Sequence, residues 1–544
     1  MKRITKYTLG LIITATLLMA AGKAANEGNY FEITKNIEIF ANIYRELNTY
    51  YVDELDPGKV MRTGIDAIMN SMDPYTNYVS EAQIEGFRFI SEGKYNGIGV
   101  NFKKKGDFIV IIAPMQDSPA DKAGLKSGDV ILEVDGKTAV KRTEEELNEI
   151  MQGFAGTEVI LKVKRPNGKE EIVKVTRGEV ESKNVPHFEL ITPEIGYVAL
   201  TTFTRGASSN IAAAYNDLKK INPAMKGMIL DLRGNGGGLL DEAVNICNIF
   251  IPKGTEVVST RGKVKDWDKT YRTTGNSFDE KIPLVILIDR GSASASEIVS
   301  GTLQDLDRAV IMGQLSYGKG LVQNHRETGY NSRIKLTTAK YYTPSGRCIQ
   351  AISYKNGEPV HIPDSLRQVF KTKNGRKVMD GGGVKPDVEI EVSDNLNLLK
   401  ALDANFMVFD FATKYTLNNP PITNIEGFKF TDFDQFQQYC KDQKFSFSIK
   451  SEDLLNQMVA EAKKEKIDNL LQNNVAALRA QIELEKSKTL LANKERILSW
   501  ISSEIASRYF YEKGRIMVRL DNDAEIKSAV ELLNNPARYQ KILK

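Results

Sequence analysis

The sequence predicts a multidomain α/β (α+β) protein: a helix-covered sheet core with an inserted β-rich module, N-terminal helices and a helical C-terminal region. Three observations carry that prediction. Apolar residues recur at helical spacing near the N-terminus, short strand patterns broken by glycine turns follow residue 86, and between residues 195 and 345 apolar strand runs alternate with helical stretches. A chain of 544 residues, 41% hydrophobic and 26% charged, has material for roughly three or four domains and can bury a core.

The N-terminus carries Lys2, Arg3 and Lys6, then an apolar run from Tyr7 to Ala21, then Gly22, Ala24 and Ala25. A basic head, an apolar stretch and a small-residue exit predict a secretory signal peptide over residues 1–25, and so a periplasmic or secreted protein. The run falls short of the roughly 20 residues of a spanning helix; an uncleaved anchor is the alternative.

In residues 26–85, Ile33, Ile37, Phe40, Tyr44 and Leu47 share one helical face. A second helix is expected from Val60 to Ser71, closed by the turn Met72-Asp73-Pro74-Tyr75. Core and oligomer contact are both open for this segment. Residues 86–178 read as short strands: 98–102, 108–112, 130–134 before the turn Asp135-Gly136, and 158–165. Ser118 to Leu125 reads as a short helix stopped by Gly124, since glycine tolerates the positive φ of a helix end.

Residues 179–395 form the expected core, with strands at 227–232, 284–288 and 309–312 and helices at 209–221, 239–250 and 295–306. Residues 396–544 turn helical and charged, and Ser451 with Glu452 and Asp453 predicts a capped helix start. This region, like the N-terminal helices, is a candidate surface for a homo-oligomer or an adaptor protein.

A net charge of +4 on 74 basic and 70 acidic side chains gives no pull toward nucleic acid. Cys247, Cys348 and Cys440 are too few for a disulfide framework and wrongly spaced for a metal site, and His187, His325 and His361 add no ligand cluster. No metal or organic cofactor is expected.

Three segments carry chemistry. In Asp231-Leu232-Arg233-Gly234-Asn235-Gly236-Gly237-Gly238, glycine at four of the last five positions bares backbone N–H groups that suit an oxyanion. The lysine and Ser/Thr of a phosphate loop do not follow; a plain tight turn is the rival. In Asp289-Arg290-Gly291-Ser292-Ala293-Ser294-Ala295-Ser296-Glu297, a serine stands between an apolar strand and a helix N-terminus, where negative charge is stabilised. Helix capping is the rival there. In Ser316-Tyr317-Gly318-Lys319-Gly320-Leu321-Val322-Gln323, an extended backbone puts Lys319, Leu321 and Gln323 on one face, so Gln323 can orient the lysine. A desolvated lysine amine can act as general base toward a serine hydroxyl; a solvated surface lysine is the rival.

Together with YYTPSGR (Tyr341 to Arg347) and GGGVKPD (Gly381 to Asp387), these segments closely resemble the C-terminal processing (tail-specific) peptidases, serine proteases with a PDZ domain and a Ser–Lys dyad. The resemblance runs from the MDPY turn to about residue 392. It implies Ser294 as nucleophile, Lys319 as general base 25 residues on, and Gln323 as the lysine's assistant. It also implies an oxyanion hole from the Ala295 N–H and a glycine of Gly236-Gly237-Gly238, Gly238 before Gly237. Choosing Ser294 over Ser292 and Ser296 rests on the resemblance alone. Glu297 and Asp305 fall on family positions read as structural supports.

Asn96-Gly97-Ile98-Gly99-Val100 resembles a PDZ carboxylate loop, whose N–H groups receive a peptide C-terminus while the next strand pairs with the peptide. That implies unfolded or tail-exposed polypeptides as substrates. It also implies a module able to gate the dyad, for which Arg165 is a candidate contact. The rivals are a non-catalytic PDZ-bearing scaffold or chaperone, a Ser–His hydrolase using His325, and an esterase of small substrates.

Overall fold

The computed structural model describes residues 30–83, 92–355, 357–390, 396–521 and 523–544. The basic and apolar leader expected over 1–25 lies outside the described residues. The chain divides into two units, Met1–Tyr78 with Tyr354–Glu358, and Val79–Ser353 with Pro359–Lys544.

In the first unit, a helix over 30–50 precedes the helix Pro57–Asn70. Asp56 caps the second helix by accepting the Lys59 N–H, and Pro57 sits in the first turn, where its missing N–H costs nothing. Tyr44 donates its hydroxyl to Pro57 O at 2.9 Å. Asp73 Oδ1 accepts the N–H groups of Tyr75 and Thr76, which makes the MDPY turn. The apolar face of the first helix is open to solvent at Ile33, Ile37 and Leu47.

The second unit begins with an antiparallel module. Its strands lie in the order Val100–Lys105, Phe108–Pro114, Val130–Val134, Glu158–Lys164, Glu170–Thr176. Strict alternation buries Val159, Leu161 and Val163 while Glu158, Ile160 and Lys164 face out. The helix Glu144–Met151, closed by a Thr143–Glu146 capping box, drops Leu147 and Met151 into that core. Among the described residues, Val100–Lys105 is an edge strand of this sheet, with its Lys104 N–H donated to Glu144 Oε1 at 2.7 Å.

The core is a six-stranded sheet ordered His187–Thr192, Ile195–Ala199, Gly227–Asp231, Leu284–Ile288, Val310–Gly313, Val388–Glu389. The first pair is antiparallel and the rest parallel. Continuous apolar runs such as Leu284–Ile288 are buried throughout, as a strand covered on both faces requires. The helices Ala207–Ile221, Leu240–Phe250 and Ala295–Asp305 cover one face. The other face is covered from the far end of the chain by Ile516, Leu520 and the helices Ala524–Leu533 and Pro536–Ile542. The sequence division at residue 395 did not anticipate this layer.

The remaining C-terminal helices gather around Phe411, Phe433, Phe436, Ile497 and Ile501. Phe406 and Phe409 from this group pack on Val110 of the antiparallel module. Ser451 is not a cap: the helix Lys450–Lys464 has Ile449 at its N-cap, with no side-chain cap bond. Among the described residues, no helix is long and apolar enough to cross a membrane.

Candidate active site

The three motif segments leave the carboxyl ends of three neighbouring parallel strands. Gly227–Asp231 feeds the glycine loop, Leu284–Ile288 the serine turn and Val310–Gly313 the lysine loop. In register, Asp231 lies beside Leu287 and Ile288 beside Gly313. Ligands of parallel α/β sheets bind at this edge.

Burial separates the three alternating serines. Ser292 and Ser296 are fully buried, and their hydroxyls donate to Leu232 O and Asn235 O, each at 2.8 Å. Both therefore tie the turn to the glycine loop. Ser294 is half-buried and directly precedes the helix Ala295–Asp305 at φ 56°, ψ −112°. Such a conformation costs an L-residue about 1–3 kcal/mol and persists only where its surroundings enforce it. Here the Ser294 N–H donates to Glu297 Oε2 at 2.8 Å, and the Tyr341 hydroxyl donates to Ser294 O at 3.1 Å.

Glu297 also reaches the lysine loop. Its fully buried carboxylate accepts the Gly318 N–H at 2.6 Å, the Lys319 N–H at 2.9 Å and the Ser316 hydroxyl at 2.5 Å. Burial pushes its pKa above the usual carboxylate range, and these donors pull the other way. One carboxylate thus fixes the main chain at Ser294 and at Lys319 together. Tyr317 N–H to Ser292 O (3.0 Å) and Tyr341 N–H to Gly320 O (2.9 Å) add two more ties. Asp305 is likewise a support, paired with buried Arg347 at 2.8 Å.

Lys319 is half-buried between two glycines that admit no side chain. A Cβ on Gly318, at φ +86°, would lie 2.4 Å from Ala351 Cβ, and one on Gly320 2.7 Å from Gln350 N. The expected extended run from Lys319 to Gln323 is broken. The strand begins at Leu321, and a bulge between Val322 and Gln323 interrupts the alternation. Gln323 is half-buried and donates its amide Nε2–H to Thr337 Oγ1 at 3.2 Å, which fixes the direction of its amide. His325 is exposed on the same strand; partial burial and then Lys335 and Arg333 lower its pKa.

The glycine loop closes over the serine turn. Gly237 is so near that a Cβ there would lie 2.7 Å from Ala293 O and 2.9 Å from both Ala295 N and Ser294 Cβ. Its own N–H is donated to Asn235 Oδ1 at 2.9 Å, which removes it as an oxyanion donor. Among the described residues, the N–H groups of Gly238 and Ala295 have no acceptor. Asn235, fully buried, also receives the Ala293 N–H on its carbonyl, and Arg233 anchors the loop's root on Asp231. Burial works against the Asp231 carboxylate, but the charge and hydrogen bonds of Arg233 outweigh it and hold its pKa below the usual range.

Sequence reasoning gave no role to Tyr341, Ser316 or Asn235. All three lie inside the motif segments, and only the folded chain shows their bonds.

The Gly97–Val100 loop is buried and belongs to the antiparallel module. Its Ile98 and Gly99 carbonyls accept from Ala120 N–H and Met115 N–H, and it leads into the edge strand beside the helix Glu144–Met151. Among the described residues, it shares no hydrogen bond with the three motif segments. The Arg165 guanidinium bonds Asp129, Glu171 and Gly124 O, all inside the module, and among the described residues no group of the three motif segments.

Family models match this chain in three places: Peptidase family S41 over residues 194–357, a PDZ domain over 96–176, and the C-terminal helical domain of probable PDZ-proteases over 398–533. A carboxy-terminal-processing protease of Bartonella bacilliformis is 37% identical over 357 residues, covering 64% of this chain and 81% of that protein. A probable CtpA-like serine protease of Staphylococcus aureus is 34% identical over 355 residues, covering 64% and 70%. The solved photosystem II D1 C-terminal processing protease aligns at 26% identity and a TM-score of 0.36, covering 68% of this chain and 96% of that one. This chain belongs to peptidase family S41, with the carboxy-terminal-processing proteases.

Proposed function

We propose that this peptidase is an exported serine endopeptidase that reads the C-terminal tails of unfolded polypeptides and cleaves near them. Ser294 is the nucleophile and Lys319 the general base. The observation that carries this reading is the Glu297 carboxylate, which accepts both the Ser294 and the Lys319 main-chain N–H and so holds the two residues as one construction.

Neutral Lys319 takes the Ser294 hydroxyl proton as the oxygen attacks the peptide carbonyl. The Ala295 and Gly238 N–H groups receive the developing oxyanion, because each lacks an acceptor among the described residues. The lysine returns the proton to the leaving amine; in the second half its amine takes a proton from water, which attacks the acyl-enzyme, and gives that proton to Ser294 Oγ as the acid product leaves. Gln323, fixed by Thr337, orients the lysine. The tail carboxylate lies on the N–H groups of the Gly97–Val100 loop, and the tail pairs with the start of the edge strand Val100–Lys105. Residues 1–25 direct export.

The test is cleavage of an unfolded polypeptide with an apolar C-terminus. Ser294→Ala and Lys319→Ala should each lower kcat by about 10⁴- to 10⁶-fold. Activity that survives Lys319→Ala and is lost in His325→Ala would replace the dyad with a Ser–His pair. Tail binding with no cleavage by the wild type would leave a scaffold.

A further inference from the structure

The C-terminal helical region touches the tail-binding module and the glycine loop with the two ends of one short stretch. At one end, the Tyr511 hydroxyl donates to the Asp121 carboxylate, 2.8 Å from each oxygen. Asp121 belongs to the short helix Pro119–Lys122, which backs the Gly97–Val100 loop: Ala120 N–H donates to Ile98 O at 2.7 Å and Ser118 Oγ to Gly99 O at 3.0 Å. The fit there is tight, since a Cβ on Gly99 would lie 2.4 Å from Ser118 Cβ. Any shift of the loop is therefore passed to Asp121.

At the other end, Arg233, at the root of the glycine loop, is paired with Asp523 at 2.7 Å and with Glu525. Asp523 also caps the helix Ala524–Leu533. Between the ends runs a helical segment of nine residues, 512–520, about 14 Å long. Ile516 and Leu520 seat it on the core sheet. Tyr511 itself interrupts the helix Lys494–Leu520 at φ 55°, ψ −148°, a backbone state an L-residue rarely holds. Burial first, and then the Asp121 carboxylate, push its hydroxyl up to about 12, so it stays a donor. The kink residue is thus tied through its hydroxyl to the helix that backs the loop, and the helical segment that follows it ends on the carboxylates that hold Arg233, a continuous physical connection between the two sites.

We infer that Tyr511 and the helical segment 512–520, with Asp523 and Glu525, couple the tail-binding loop to the oxyanion loop, reading the first through Asp121 and setting the second through Arg233. The inference rests on the proposed function, in which Gly97–Val100 holds the tail and Gly238 the oxyanion. It gives the C-terminal region a part in regulating the reaction.

The experiment uses an unfolded reporter whose C-terminus is amidated, so that it offers no tail carboxylate. Its cleavage is followed with and without a saturating decapeptide ending in Ala-Leu-Val, whose binding is read by fluorescence anisotropy. The decapeptide should stimulate the wild type. Tyr511→Phe, which removes one oxygen and keeps the ring, and Asp121→Asn should each cut the stimulation ratio at least ~5-fold with the peptide still bound. The double variant should lose no more than either single one. Glu525→Gln, at the opposite end, should give the same loss. An unchanged ratio in Tyr511→Phe and Glu525→Gln overturns the inference, as does a wild type that binds the peptide without stimulation, provided cleavage still depends on Ser294. Equal cleavage by wild type and Ser294→Ala overturns the serine reading, and the inference with it.

Discussion

At Gly237 the chain has no room for a methyl group. The position holds φ +99°, and a Cβ would lie within 2.9 Å of Ala293 O, Ala295 N and Ser294 Cβ, all part of the turn that carries the proposed nucleophile. Gly237→Ala must push the glycine loop off the serine turn, separating the Gly238 and Ala295 N–H groups. Steady-state kinetics should show kcat down by about 10²- to 10³-fold with KM little changed; an unaffected kcat would remove this loop from the oxyanion site. The serine choice shows what sequence leaves open at this scale. Three serines alternate, and each fits a strand-to-helix junction equally well. Only burial, and the two carbonyls that Ser292 and Ser296 satisfy, set Ser294 apart.

Among the elements, the antiparallel module was the most legible, because its strands alternate with period two and its turns carry glycine or Asp-Gly. Asp135 and Gly136 both hold positive φ, as that turn chemistry requires. Gly99 gives the test at this scale. It holds φ +78° and abuts Ser118, so Gly99→Ala should displace the Gly97–Val100 loop and cost one charge-assisted N–H bond to a tail carboxylate. Tail-peptide affinity should fall by about 10- to 100-fold in a titration. Equal affinity would place the tail elsewhere. The lysine strand was less legible, since a bulge at Val322/Gln323 is a one-residue change in pairing that no alternation pattern predicts.

Across the molecule, stability in the C-terminal region depends on a charge that sequence gave no reason to single out. Glu504 is buried and paired with Arg508 at 2.6 Å and Arg515 at 2.8 Å. Burial alone would raise its pKa, but the two guanidinium groups outweigh burial and hold it below the usual carboxylate range. Glu504→Gln removes the carboxylate that Arg508 and Arg515 share, leaving Arg515 only Glu512 at 3.3 Å, and should cost about 3–5 kcal/mol in urea unfolding at neutral pH. The sign with pH follows from the lowered value. The charged form's stabilisation is complete above the unfolded pKa of about 4.3 and is lost as pH falls through the lower folded one. The difference between wild type and Glu504→Gln should therefore shrink in acid; a constant difference would contradict the pairing.

The order of the modules, the strand–loop–helix setting of each motif and the identity of the glycine, serine and lysine loops are legible in the unfolded chain. Those features are local: period, turn chemistry and glycine content act within a few residues of one another. Folding brings the Glu297 carboxylate across 22 positions to Lys319, sets the Gly237 N–H on Asn235 and turns Arg165 onto Asp129 inside its module, none of which a local pattern shows. It also lays Ile516, Leu520 and the helices Ala524–Leu533 and Pro536–Ile542 over a sheet formed far earlier in the chain, with the Tyr539 hydroxyl on Leu284 O. Such contacts join residues distant in sequence, and their stabilisation comes from desolvation and packing that exist only after the chain has closed on itself.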